Sequence, residues 1–127
     1  MAITPQQKRR MFRDLGRVDP EFDEKIMPFL DVLYRYYFRC VVTGCKAIRK
    51  AQALFVGNHN GLLTFEVLML FYAWWNKFGG SRWALGLAHG VALNNPFFRW
   101  IIPRIGAIPA EPDLAYEAMA RGYSLLV

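Results

Sequence analysis

Ala53-Leu54-Phe55-Val56-Gly57-Asn58-His59-Asn60-Gly61-Leu62-Leu63-Thr64-Phe65-Glu66 decides how the chain is read. Ala53 to Val56 is a short apolar run stopped by glycine, the pattern of a strand buried on both faces. Gly57, Asn58, Asn60 and Gly61 form a turn cluster, and Leu62 to Trp75 is long and apolar enough for a buried helix. His59 is thereby expected at the exit of a strand and just ahead of a helix. In open α/β sheets that carboxyl end of the strands is where ligands bind. Glu66 interrupts an otherwise apolar segment, and a buried carboxylate needs a partner. A neutral imidazole is suited to take a proton near pH 7. A carboxylate at its other nitrogen fixes the tautomer and stabilises the imidazolium that forms. The competing reading has Asn58 or Asn60 capping the helix, His59 in an ordinary turn and Glu66 facing water.

The flanking sequence continues the alternation. Upstream, Thr4-Pro5 opens a helix to about Leu15 that Gly16 ends, with Lys8, Arg9, Arg10 and Arg13 on it and Ile3, Met11, Phe12 and Leu15 as its apolar side. Asp19-Pro20 opens a second helix towards Arg39, with Glu21, Asp23 and Glu24 at its positive end. Ile26, Leu30, Leu33 and Tyr37 recur along it at helical spacing, and Pro28 should bend it or mark its true start. Cys40 to Ile48 reads as a strand interrupted at Gly44. Downstream, Trp83 to Ala88 reads as a strand ending at His89-Gly90. Asn95-Pro96 opens a short helix stopped by Pro103, and Gly106 to Ala110 is a further strand. Pro112-Asp113 opens a helix to about Arg121 with Gly122 after it, and Ser124 to Val127 begins a last strand. The fold class is therefore α/β: a largely parallel sheet flanked by helices, preceded by an N-terminal amphipathic helical element. Residues 1–39 form that basic helical element, and 40–127 the N-terminal part of the α/β domain.

With 127 residues the chain has the length of one domain, with room for a small core. Hydrophobic residues make up 54% and charged ones only 20%, a balance that suits contact with lipid or a partner as well as a core. Net charge is +6, and residues 1–50 hold 11 Lys and Arg against 6 Asp and Glu. Positive charge concentrated there favours an anionic membrane surface, or is a solvated basic face. No aromatic–basic nucleic-acid motif accompanies it. Tyr34, Tyr36, Tyr37 and Phe38 with two arginines suit a membrane interface or packing on the domain's own sheet. No apolar stretch reaches the eighteen or so residues of a membrane span, and no signal peptide is apparent. Cys40 and Cys45, read as lying in an extended segment, point to opposite faces and are expected as reduced thiols in a cytosolic setting.

Val56-Gly57-Asn58-His59 followed by a helix with an acid resembles the first motif of the glycerolipid acyltransferase family. Gly86-Leu87-Ala88-His89, Pro96-Phe97-Phe98 and Arg104-Ile105-Gly106-Ala107-Ile108-Pro109-Ala110 resemble the segments that follow it there. The resemblance covers Cys40 to Val127. The usual His-x4-Asp spacing would put the acid at position 64, where this chain has Thr64, with Glu66 two places later. Looser spacing brings the chain closer to the branch of diacylglycerol acyltransferases and plant phytyl-ester synthases.

The resemblance implies direct acyl transfer from acyl-CoA or acyl carrier protein to a hydroxyl of a glycerolipid or other lipid alcohol. His59 would be the general base and Glu66 its orienting acid. Asn58, Asn60, Gly61, Thr64, His89 and Arg104 would contact substrate, with no metal or bound cofactor. Where phosphate-using members carry an arginine, this chain has Ala110-Glu111-Pro112. A neutral acceptor is therefore open. The expected location is the cytoplasmic side of a membrane, peripheral or monotopic. The chain stops on a strand before the Gly-rich segment expected next, so it reads as C-terminally truncated. Two other readings stand beside this one. One is an inactive lipid-binding protein that keeps the fold. The other is a metal-dependent hydrolase using His59, Glu66 and His89.

Overall fold

The computed structural model describes residues 4–15, 19–48, 51–59, 65–79 and 84–127. The chain divides into two compact units that exchange segments along the sequence. One takes Met1–Asp19, Gln52–Val56 and Trp83–Val127, the other Pro20–Ala51 and Gly57–Arg82.

The first unit holds the sheet. Its strands are β1 (Leu54–Phe55), β2 (Ala84–Ala88), β3 (Ala107–Pro109) and β4 (Ser124–Leu126), and its helices are α1 (Pro5–Arg13), α4 (Pro96–Ile101) and α5 (Pro112–Ala120). The strand order is β1-β4-β2-β3 and every pairing is parallel. The α/β reading therefore holds. Leu54 is level with Leu125, Leu125 with Leu85, and Leu87 with Ile108. Side chains alternate across a strand, so these leucines and Ile108 share one face. Leu85, Leu125 and Ile108 pack there with Leu114 and Ala118 of α5 and with Leu15, and Met11 and Phe12 of α1 close the cluster.

The local signals that begin and end the helices are those the sequence announces. The Thr4 hydroxyl accepts the Gln7 N–H at 3.2 Å while Gln7 accepts the Thr4 N–H at 2.9 Å, a reciprocal cap ahead of Pro5. Asn95 caps α4 through the Phe97 N–H at 2.9 Å. After α5 the chain turns at Gly122 with φ +87°, a conformation that favours glycine, and the Tyr123 N–H reaches back to the Ala118 carbonyl at 3.0 Å.

The second unit contains α2 (Pro20–Val32) and α3 (Phe65–Phe78), with a π-helical turn over Leu33–Tyr37 and a 3-10 turn over Cys45–Ala47. The two helices pack on each other. Tyr72 of α3 stacks obliquely on Tyr34 at 4.9 Å and donates its hydroxyl to Asp31.

Four expectations need correction. The run at Ala53 forms an edge strand, and Leu54 is 56% exposed, so this strand is not buried on both faces. An apolar run of four reads alike at the centre and the edge of a sheet. Cys40 to Ile48 forms no strand; it carries the 3-10 turn, entered through Gly44 at φ +80°. The alternation argument for the two cysteines lapses with it, although both thiols are free. The buried stripe of α2 is Asp23, Met27 and Leu30, while Tyr37 is 74% exposed. The π turn explains the exposure of Tyr37: the Phe38 N–H bonds the Leu33 carbonyl, five residues back, so side chains from there on leave the 3.6-residue phase. Pro28 lies inside α2, which starts at Pro20, so it does not mark the start.

Candidate functional site

In sequence His59 lies between the end of β1 and α3, and it belongs to the second unit. Glu66 is the second residue of α3. Its place in the first turn suits a carboxylate, because the N-terminal end of a helix carries partial positive charge. His59 Nδ1 lies 2.8 Å from Glu66 Oε1, with side-chain exposures of 52% and 41%. At that distance a proton on Nδ1 faces the carboxylate, and Nε2 keeps its lone pair for another proton. The acid two places beyond the usual spacing therefore does reach the imidazole. Glu66 is exposed, so burial is not what brings it to a partner.

His89 belongs to the first unit, one residue past the carboxyl end of β2, and is exposed. Its Nδ1 accepts the Val91 N–H at 3.2 Å. An accepting Nδ1 leaves the proton of the neutral ring on Nε2. The two histidines thus hold opposite tautomers, His59 with an accepting Nε2 and His89 with a donating one. Nothing in the sequence distinguishes them, because the deciding contact at His89 is a backbone N–H that a short turn brings round.

Arg104 follows α4. It donates to the Trp100 carbonyl at 2.5 Å, lies over the Trp100 ring at 4.7 Å, and approaches Asp19 at 3.9 Å. Three contacts from its own unit hold this guanidinium, a positioning the sequence did not show. Asn58 is exposed beside His59, and a Cβ at Gly57 would meet open space. Asn60, Gly61 and Thr64 lie outside the described residues.

A scan of protein-family models, a search of curated proteins and a search of solved structures find no match to this chain. The site is therefore read from its own chemistry. Among the described residues no three of His, Cys, Asp and Glu gather closely enough to hold a metal ion. The second unit thus holds an imidazole–carboxylate pair, and His89 of the first unit is a separate imidazole at the carboxyl end of β2.

The sequence also missed the contact of Asp31, Arg35 and Tyr72. Asp31 Oδ1 accepts the Arg35 Nε–H at 2.5 Å as well as the Tyr72 hydroxyl. The tyrosine hydrogen bond first, and the arginine second, hold the Asp31 carboxyl below its ordinary value of 3.8. The same bond to Asp31, followed by burial, raises the Tyr72 phenol above 10.0. Asp31 and Arg35 are one helical turn apart and legible as a pair. Tyr72 is 41 residues from Asp31, beyond any local signal.

Proposed function

We propose that the protein is an acyltransferase that moves a fatty acyl group from acyl-CoA or acyl carrier protein to the hydroxyl of a glycerolipid or other lipid alcohol. The observation that carries this reading is the 2.8 Å approach of His59 Nδ1 to Glu66 Oε1. His59 Nε2 takes the hydroxyl proton, and the freed oxygen attacks the thioester carbonyl. The tetrahedral oxyanion then collapses, the carbon–sulfur bond breaks, and the leaving thiolate takes the proton from the imidazolium. Glu66 holds the ring in the tautomer that starts the cycle and offsets the positive charge that forms. Asn58, next to His59 in the chain, is the donor assigned to the substrate oxyanion. The order of the motif segments from Val56 to Ala110, which resembles that of the glycerolipid acyltransferases, supports the same reading. The substrates place the work at the cytoplasmic face of a membrane. No helix among the described residues is long and apolar enough to cross one.

The test is release of free thiol from an acyl-CoA in the presence of a lipid alcohol. His59→Gln should lower the rate about 10²–10⁴-fold, the usual contribution of a positioned general base. Glu66→Gln should lower it less, since the ring keeps its lone pair but loses its anchor. Equal rates for the wild type and His59→Gln would overturn the enzyme reading in favour of a lipid-binding protein.

A further inference from the structure

The second unit carries an unusual amount of apolar surface on one short segment. Phe29 and Val32, at i and i+3, lie on one side of α2, and Tyr36 follows them in the π turn. All three are exposed, and the chain continues into exposed Tyr37, Val41 (85%) and Val42. The Tyr37 and Phe38 rings meet edge to face at 4.8 Å, and Phe38 lies 5.5 Å from Phe65 of α3. The opposite side of α2, through Met27 and Leu30, is already buried. The helix is therefore apolar on two sides, and its own packing uses only one.

Positive charge predominates along this segment. Residues 25–48 hold Lys25, Arg35, Arg39 and Lys46 against a single acid, Asp31, which is engaged by Arg35. Lys25, Arg39 and Lys46 are exposed. Arg39 takes a positive φ of 51° just past the helical run, and the irregular stretch bearing Val41 follows. Tyrosine and phenylalanine rimmed by lysine and arginine are the composition that settles at a lipid headgroup boundary. A second copy of the chain fits less well. A two-fold pairing sets the same patch against itself. It would bring these cations together where interface centres are poor in charge.

We infer that this ridge seats the protein on an anionic bilayer surface, with the aromatic rings among the headgroups and Lys25, Arg39 and Lys46 on lipid phosphates. The inference deepens, and rests on, the reading of an enzyme that uses membrane lipids, and it names the surface through which it reaches them.

Co-sedimentation of the purified full chain with vesicles tests it. The wild type should sediment with phosphatidylcholine vesicles containing phosphatidylglycerol, and more weakly with phosphatidylcholine alone. Tyr36→Ser/Tyr37→Ser should weaken binding to both about tenfold or more, as expected when two aromatic side chains no longer leave water. Arg39→Asn/Lys46→Gln should remove the preference for the anionic vesicle, asparagine being chosen because it tolerates a positive φ. Val41→Ser, outside the helix, should weaken binding without altering helical content or the melting transition. It keeps the test decisive if the tyrosine pair unfolds. Binding of Tyr36→Ser/Tyr37→Ser, or of Val41→Ser if that pair unfolds, at the wild-type level would overturn the inference. So would a wild type that sediments with neither vesicle, or a dimer in size exclusion that becomes monomeric in Val41→Ser. His59→Gln should bind vesicles like the wild type. With a water-soluble alcohol and short-chain acyl-CoA, ridge variants should keep wild-type thiol release. A protein that binds vesicles but transfers nothing refutes the acyl-transfer reading alone.

Discussion

α1 and α2 open in the same way and serve different ends. Each begins at a proline preceded by a residue of the capping type, Thr4-Pro5 and Asp19-Pro20, and each is amphipathic with basic residues along or just after it. α1 lays Met11 and Phe12, with Leu15 just beyond its end, against the core cluster of the first unit. Its Lys8 donates to Asp113 at the start of α5, at 2.5 Å. α2 turns Met27 and Leu30 inward and leaves Phe29, Val32 and Tyr36 outside. Amphipathicity states that a side of a helix seeks an apolar neighbour. It does not say whether that neighbour is the chain's own core.

The largest effect should come from exchanging the two sides of α2. Leu30 is 1% exposed, so Leu30→Ala should cost about 2–5 kcal/mol of stability, whereas Phe29→Ala should stay within about 0.5 kcal/mol. Denaturant titration measures both. Equal losses would show that Phe29 is packed in solution and would erase the contrast with α1.

The next effect sits where α2 and its π turn meet α3. Tyr72→Phe removes the hydroxyl that Asp31 accepts and should cost about 1–2 kcal/mol. The sign of its pH dependence follows from both partners. Asp31 titrates lower folded than unfolded, so its share is present above about pH 4 and lost as pH falls through the folded value. Tyr72 titrates higher folded, so its share is present below about pH 10 and lost as pH rises through the folded value. The stability gap between wild type and Tyr72→Phe should therefore form a plateau between about pH 4 and pH 10 that narrows on both sides. A gap that is flat across acid pH would separate Asp31 from the tyrosine.

The smallest effect concerns α1. The hydrogen bond to Asp113 is the chief cause that raises the Lys8 pKa, so its stabilisation is present below about pH 10.4 and lost as pH rises through the folded value. Lys8→Gln should lower the melting temperature slightly, and concentrated salt should abolish the difference, because the pair is solvent-accessible. A shift that survives salt would mean that Lys8 acts through packing of its stem.

How much could be read beforehand differs by region. The starts of α1 and α4 were legible because a cap, a proline and the first N–H donors lie within four residues, and that of α5 because Pro112 opens it. The pairing of His59 with Glu66 was legible as two residue types close in sequence around one turn. The π turn, the edge position of β1 and the absence of a strand at Cys40 to Ile48 were not. Valine and isoleucine in short apolar runs fit several backbones, and only pairing partners choose among them. The opposite tautomers of His59 and His89 were hidden as well, since each depends on a single contact at one ring nitrogen.

By itself the sequence determined the alternation of strands and helices, the helix starts, the concentration of positive charge before residue 51 and the presence of an acid near His59. Tertiary structure alone decided that the last strand pairs between β1 and β2, that Tyr72 reaches Asp31, and which apolar side of α2 is left to the solvent. The division follows the range of the forces. Caps, turns and periodicity act over a few residues, whereas strand order and helix faces are set by partners tens of residues away.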